Sequence, residues 1–363
     1  MKVLLVAPIH SPIVKRLISA LEGSGIELII ASHNAAKEVG VIDLGPCRSM
    51  FSYLCFWKIN KLVKEHQPDV VHAHVLNHYG LMAAFQNRPL LVALWGSDVM
   101  LSTKAGAFIT RKLFRVINWF VLKRADYIHT SGKHVAKEAE SQCKGVKKKI
   151  NTFYWGFPLP ELELDVLNST YQNLSDEFEL TSEKNIVFPR GLGNVYNPEG
   201  AAKIINYLMT KGIKAKRIVV LRGFANEDCV RKFTSLVDID KITFINRLLD
   251  PQELYALYKN TCMHFSIPHS DSLGGGVIEP ALVGSLPVLS DLPSYRDFLK
   301  ESKGLLLTEY TYKELDVIYN KITDDPNIES DLALSKLTSK YSLNSVVNNF
   351  NHIYKVMSDN ESS

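Results

Sequence analysis

The chain has 363 residues, 46% of them hydrophobic, enough for two domains of ordinary size, each with its own core. Its net charge is only +4, its five cysteines are scattered without C-x-x-C spacing, and no run of about 18 or more apolar residues occurs. These features exclude a disulfide framework, a structural zinc site and a membrane-spanning helix. With Met1-Lys2 leading straight into a strand, they predict a cytoplasmic protein with reduced thiols.

Apolar strands alternate with amphipathic helices from the start. Residues 3–7 read as a strand, Ile13, Val14, Leu17, Ile18 and Leu21 mark one face of a helix, Gly23 and Gly25 end it, and residues 26–30 form the next strand. Val70-Val71, Leu90–Leu94 and Tyr127–Thr130 are further short buried strands, which predicts a parallel doubly wound sheet over residues 1–160. One strand ends in Asp69-Val70-Val71-His72-Ala73-His74, where a histidine either packs against a loop or faces a ligand. Another runs into Trp95-Gly96-Ser97-Asp98, where Asp98 either takes a proton or hydrogen bond from a substrate hydroxyl or caps its own loop.

Charge is unevenly spread. From Lys104 to Lys149 there are twelve lysines and arginines against Asp126, Glu138 and Glu140, an asymmetry that points to an anionic partner. Between Lys104 and Arg124 the basic residues are interleaved with Phe108, Ile109, Leu113, Phe114, Ile117, Phe120 and Val121. That composition suits a helix on an anionic membrane surface, or a core helix with a solvated basic face.

Residues 161–184 are polar and acidic without a strong period, and read as a linker with one helical turn. A second alternating pattern fills residues 185–341, and a last helical segment over 342–363 ends in a polar tail. The expected fold class is therefore α/β: two doubly wound, Rossmann-like domains facing across a cleft, with ligands at the C-terminal ends of the strands.

The stretch from Phe265 to Asp291 carries the most chemistry. A strand end is stopped by Pro268, Gly274-Gly275-Gly276 let the backbone approach a ligand closely, and a short helix over 277–283 follows, with Gly284 as its C-cap. Its amino terminus favours an anionic diphosphate or a sugar hydroxyl. Glu279, read in its first turn, either accepts two hydrogen bonds from a ribose or complements the helix dipole. Arg190, at the end of the strand over 186–188, has paired donors suited to a phosphate.

Asp271, seven intervening residues and Glu279, with Pro268, Gly274, Ala281, Gly284, Pro287 and Val288 in register, resemble the E-x(7)-E signature of retaining glycosyltransferases of family 4. The resemblance implies a GT-B fold and transfer of a sugar from a nucleoside-diphosphate donor to an acceptor hydroxyl, with no cofactor or metal. Donor binding then falls to Arg190, Asp271, Gly274, Gly275, Gly276 and Glu279, and catalysis to Asp98, Asp271 and Arg190. The acceptor side comprises His10, Ser11, His74 and Asp98. Asp271 replaces the family's glutamate and is shorter by one C–C bond, about 1.5 Å, so its contact to the donor sugar is expected to be displaced or bridged by water. The family's G-R-x-x-x-x-K-G pattern keeps its arginine as Arg190 but lacks its lysine, for which Lys203 and Arg222 are the candidate substitutes. Trp155-Gly156-Phe157-Pro158 stands where the family has its domain junction.

The implied acceptor is a glycan or lipid-linked intermediate of cell-surface polysaccharide synthesis, reached by a cytoplasmic enzyme held peripherally at the membrane through Lys104 to Arg124. A sugar-nucleotide epimerase of similar fold and a non-catalytic sugar- or lipid-binding partner are the alternatives. No nucleic-acid partner is expected, since no RNA or DNA motif occurs.

Overall fold

The computed structural model describes residues 1–100, 102, 107–157, 163–223, 225–271, 273–325 and 334–361. Lys104, Pro158 and Ser272 lie outside them. The chain divides into two units, Met1–Gly156 with Lys340–Ser363, and Phe157–Ser339.

The first unit is built on seven strands, β1 (Lys2–Val6), β2 (Glu27–Ser32), β3 (Val41–Asp43), β4 (Val70–His74), β5 (Leu90–Leu94), β6 (Tyr127–Thr130) and β7 (Ile150–Thr152). All pair in parallel, in the order β3-β2-β1-β4-β5-β6-β7. The central strands β4 and β5 are buried at every residue, which is why β5 reads as an unbroken apolar run and β4 carries its two histidines inside the sheet. The helix Leu343–Glu361 covers one face, packing Val346, Phe350, Ile353, Tyr354 and Met357 against Val3, Leu17, Val70 and Leu91.

The second unit carries β8 (Asn185–Phe188), β9 (Ile218–Leu221), β10 (Thr243–Ile245), β11 (Thr261–Ser266), β12 (Leu286–Ser290) and β13 (Leu305–Leu307). They form a parallel sheet in the order β10-β9-β8-β11-β12-β13. Strand order reverses between β8 and β11, and in such sheets the crevice beyond the strand ends at that reversal is where ligands bind.

One sequence expectation is corrected. Residues 161–184 are not a linker with a single turn, because Leu164–Phe178 is a helix of 15 residues. Leu164, Leu167, Tyr171, Leu174 and Phe178 recur every three or four positions. Leu167 and Leu174 are buried in a cluster with Val187, Val219 and Tyr255, and Tyr171 and Phe178 pack against it. The polar residues between them face outward and hid the stripe. The helix ends on Glu179, in the left-handed region at φ 53°, where no glycine announces a stop.

Candidate functional site

A cavity of about 360 Å³ opens at the C-terminal strand ends of the second unit. The turn after β8 contributes Arg190 and Gly191, the loop after β10 contributes Arg247, Leu248 and Leu249, and helices supply Tyr258, Gly276 and Glu279. Gly191 has φ 74°, and a Cβ there would stand 2.8 Å from the Arg222 carbonyl, so only glycine lets the two loops pass. Apolar walls with a few convergent polar groups are the ordinary make-up of a small-molecule site.

Arg190 is the centre of the polar set. Its Nη2 lies 3.1 Å from Asp271 Oδ1, with side-chain exposures of 15% and 12%, and its guanidinium carbon is 4.7 Å from the centre of the Tyr196 ring. Burial opposes its charge most strongly, but Asp271 together with Tyr295, Tyr196 and Tyr258 outweighs burial and raises its pKa, so it stays cationic. Its Nε is buried without a hydrogen-bond partner.

The glycine loop serves this arginine. A Cβ on Gly276 would stand 2.5 Å from Arg190 Cδ, and one on Gly274 would overlap its Nη1. What crosses Gly274 and Gly276 directly is Arg190, while Gly275 faces Glu279 and Phe157. Asp271 is likewise fully engaged. Besides the ion pair, its Oδ2 accepts hydrogen bonds from the Gly274 N–H at 3.0 Å and the Tyr295 hydroxyl at 2.7 Å.

The helix after the loop runs Gly275–Leu282, two residues earlier than its sequence reading at the start and one earlier at the end, so Glu279 belongs to its second turn and not its first. The carboxylate folds back toward the helix start: a Cβ on Gly275 would be 3.0 Å from Glu279 Oε2. Glu279 lines the cavity, and burial followed by its negative charge raises the pKa of Tyr258 well above the ordinary phenol value. Gly284 takes φ 101° just past the helix end. The Gly284 and Ser285 N–H groups then donate to the carbonyls of Ala281 and Pro280 in a Schellman closure.

Neither candidate for the missing lysine fills that place. Lys203 is exposed and does not line the cavity, and Arg222 pairs with Glu227 and donates to Asn246 Oδ1 at 3.0 Å. The second cation on the cavity wall is Arg247, which sequence reasoning missed. Its guanidinium is gripped by Glu177 at 2.6 and 2.9 Å and by Glu253 at 2.7 and 2.9 Å. It follows β10 as Arg190 follows β8, and that parallel was the available signal.

The candidates of the first unit divide differently. Asp98 is buried, its Oδ2 accepting from the Leu76 N–H at 2.8 Å and its Oδ1 from the Trp95 N–H at 3.0 Å. Burial outweighs these amides and raises its pKa to about 6. His74 is fully buried, accepts from the Trp95 indole N–H at 3.2 Å and stacks on Trp155. Burial, then His129, lowers its pKa to about 3. His74 thus packs at the end of β4 against Trp95 and Trp155, with Phe350 against His72 one step inside, and Asp98 holds the loop after β5. His10 is exposed, with Nε2 3.1 Å from the Asn34 carbonyl, and Ser11 stands half-buried at the start of the helix Pro12–Glu22. These two remain accessible beyond β1.

The helix Phe108–Arg124 buries only Asn118, Val121 and Leu122. Phe108 and Ile109 are 62% and 80% exposed, and Leu113, Val116 and Trp119 are exposed as well. Lys112 and Lys123 lie over the Phe108 and Trp119 rings, and no ion pair is formed by Arg111, Lys112, Arg115 or Lys123 among the described residues. Among the described residues no helix is long and apolar enough to cross a membrane, and no three metal-ligating side chains converge.

Residues 2–131 match a family model described as glycosyl transferase 4-like. No curated protein matches the chain by sequence. In fold, the chain is similar to a glycosyltransferase from Rickettsia africae, at 14% identity and a TM-score of 0.76 over 98% of both chains. It is similar to Anabaena HepE in complex with UDP, at 12% identity and a TM-score of 0.74 over 98% of this chain and 100% of that one. The catalytic domain of Arabidopsis thaliana starch synthase IV, bound to ADP and acarbose, aligns at 10% identity and a TM-score of 0.68 over 99% of each chain. At these identities the likeness establishes the fold, which is GT-B.

Proposed function

We infer that this GT-B chain, family-4-like in sequence over residues 2–131, is a retaining glycosyltransferase that moves a sugar from a nucleoside-diphosphate donor to an acceptor hydroxyl. The observation that carries the reading is the cavity of the second unit, where a permanent cation with an unpartnered Nε and a carboxylate share one wall. Departure of the diphosphate leaves an oxocarbenium-like centre and concentrates negative charge on the leaving group. Arg190, with the helix start at Gly275 and Gly276, stabilises that charge in place, without the reorganisation water would need. Glu279 holds the ribose hydroxyls and Tyr258 closes the wall beside it.

Asp271 works through Arg190 in this scheme, in place of the direct sugar contact that the family's longer glutamate would make. The first unit supplies the acceptor side, with His10 and Ser11 as its accessible candidates. No cofactor or metal takes part. The acceptor is a lipid-linked or polysaccharide intermediate of cell-surface glycan synthesis, met at an anionic membrane surface on the cytoplasmic side. The support for a membrane partner is the exposed apolar face of the helix Phe108–Arg124 and its cations Arg111, Lys112, Arg115 and Lys123, which form no ion pair among the described residues.

A panel of nucleoside-diphosphate sugars tests the reading, scored for thermal stabilisation and for slow release of nucleoside diphosphate, with Glu279→Ala as the control. One donor should stabilise the protein and be hydrolysed, and the variant should lose both effects. Interconversion of the donor sugar without acceptor would indicate an epimerase. Binding without turnover, even with acceptors added, would indicate a non-catalytic binder.

A further inference from the structure

Tyr295 lies on the helix Pro293–Leu299, outside the cavity lining, and is fully buried. Its hydroxyl is 2.7 Å from Asp271 Oδ2 and 2.8 Å from Ser266 Oγ. Burial and the neighbouring Asp271 charge raise its pKa well above the ordinary phenol value, so it keeps its proton. A carboxylate only accepts, so the Tyr295 O–H donates to Asp271 and the Ser266 O–H donates to Tyr295. Each bond in such a chain strengthens the next. Neighbouring residues tie the same loop down: Ser294 Oγ donates to the Asp271 carbonyl at 2.9 Å and Ser290 Oγ to the Pro268 carbonyl at 3.0 Å.

On the other side of Asp271, Oδ1 fixes Arg190. The guanidinium is thereby held by an ion pair on one edge and the Tyr196 ring on one face, while Nε is left unpartnered. Leu273, between Asp271 and the glycines, takes φ 77°, a left-handed conformation that costs a leucine free energy and has to be held by its surroundings. A relay therefore runs from the strand β11 through a buried phenol and a short carboxylate to the arginine of the cavity.

We propose that Tyr295 is a positioning residue for diphosphate recognition: its hydroxyl sets the Asp271 carboxylate, and through it the Arg190 guanidinium that meets the donor's phosphates. The aspartate that departs from the family motif and the tyrosine that reaches it form one device, the phenol and the arginine sharing the two oxygens of one short carboxylate. The proposal rests on the donor-binding reading of the cavity.

Binding measurements separate it from a merely structural role. UDP, GDP and ADP, each paired with its nucleoside, are titrated into wild type, Tyr295→Phe, Asp271→Asn and the double variant. The nucleoside diphosphate carries the full charge of the departed leaving group and so reports on Arg190, while the nucleoside reports on the apolar walls alone. Tyr295→Phe keeps the buried ring and should lower affinity for the cognate diphosphate about tenfold, as removal of one donor to a buried charge does. It should leave nucleoside affinity unchanged, and in the Asp271→Asn background it should have no further effect. Equal losses for diphosphate and nucleoside, an unchanged diphosphate affinity, or a full additive loss in the double variant would each overturn the role. A wild-type protein that binds none of the three diphosphates would refute the donor reading itself, and that result is visible before any variant is made.

Discussion

The two units place polar residues in equivalent positions, at the C-terminal ends of parallel strands, and put them to opposite uses. In the first unit, His74 ends the central strand β4 and packs against Trp95 and Trp155, and Asp98 follows β5 with both carboxylate oxygens accepting from loop amides. In the second, Arg190 follows β8 and keeps Nε unpartnered on the wall of a cavity. Gly274 and Gly276 give Arg190 its path along the cavity wall and Gly191 lets two loops pass in the second unit, while Trp95 and Trp155 pack over His74 in the first.

The contrast breaks most visibly at Arg190. Arg190→Ala should lower turnover about 10²- to 10³-fold, the usual cost of removing a preorganised charge-stabilising group. Steady-state kinetics with the cognate donor would check this; a change in apparent substrate affinity alone would mean that Arg190 does not act on the transition state. Next in size, Glu279→Ala should weaken donor binding by about ten- to a hundredfold through loss of hydrogen bonds to an ionised acceptor, with an unchanged melting temperature. Calorimetric titration decides it, and undiminished affinity removes Glu279 from the ribose.

The sealed side should answer in stability instead. Asp98→Asn sets an amide N–H against a backbone donor, so it should cost the first unit about 1–2 kcal/mol in denaturant unfolding while diphosphate affinity stays the same. Lost turnover in a fully stable variant would restore Asp98 as an acid–base residue.

Acid sharpens the same distinction. Burial holds His74 at about 3, His129 at about 4 and His72 well below its ordinary value. Their folded pKa values lie below the unfolded one, so the stability they contribute is complete above about pH 6.5 and is lost as pH falls toward 4 and 3. Asp98, raised to about 6, opposes this, because it gains stability as pH falls through that value. Three histidines outweigh one carboxyl, and the first unit should melt progressively earlier below pH 6. Asp98→Asn should steepen the decline. A flat melting temperature from pH 7 to 5 would show that the histidines are not sealed. The smallest effect belongs to the surface: Lys112→Gln and Lys123→Gln should each reduce co-sedimentation with vesicles containing phosphatidylglycerol about fivefold, since each basic residue near an anionic bilayer contributes about 1 kcal/mol. Equal binding to pure phosphatidylcholine vesicles would remove the electrostatic part of the argument.

Much of this was legible in the residues. The alternation of apolar strands and amphipathic helices announced both sheets, because strands buried on both faces leave unbroken apolar runs. Arg190 and Glu279 line one cavity and Asp271 pairs with Arg190. The helix Leu164–Phe178 was legible too, in a three-and-four spacing of five apolar residues, but polar neighbours and the absence of a terminal glycine masked it. Tyr295 had no local signal. It is 24 residues from the carboxylate it holds, and nothing about a tyrosine in a helix says where its hydroxyl ends.

From its sequence alone, then, this chain determines two parallel α/β sheets and the residue types gathered at their strand ends, since periodicity and glycine, proline and charge placement act over a few residues. Only the tertiary structure decided which of those ends carries a cavity, that Gly274 and Gly276 accommodate Arg190 itself, and that Asp271 is shared between an arginine and a buried phenol. Those outcomes depend on which side chains meet across strands far apart in the chain, and burial and hydrogen bonding between such partners leave no local pattern to read.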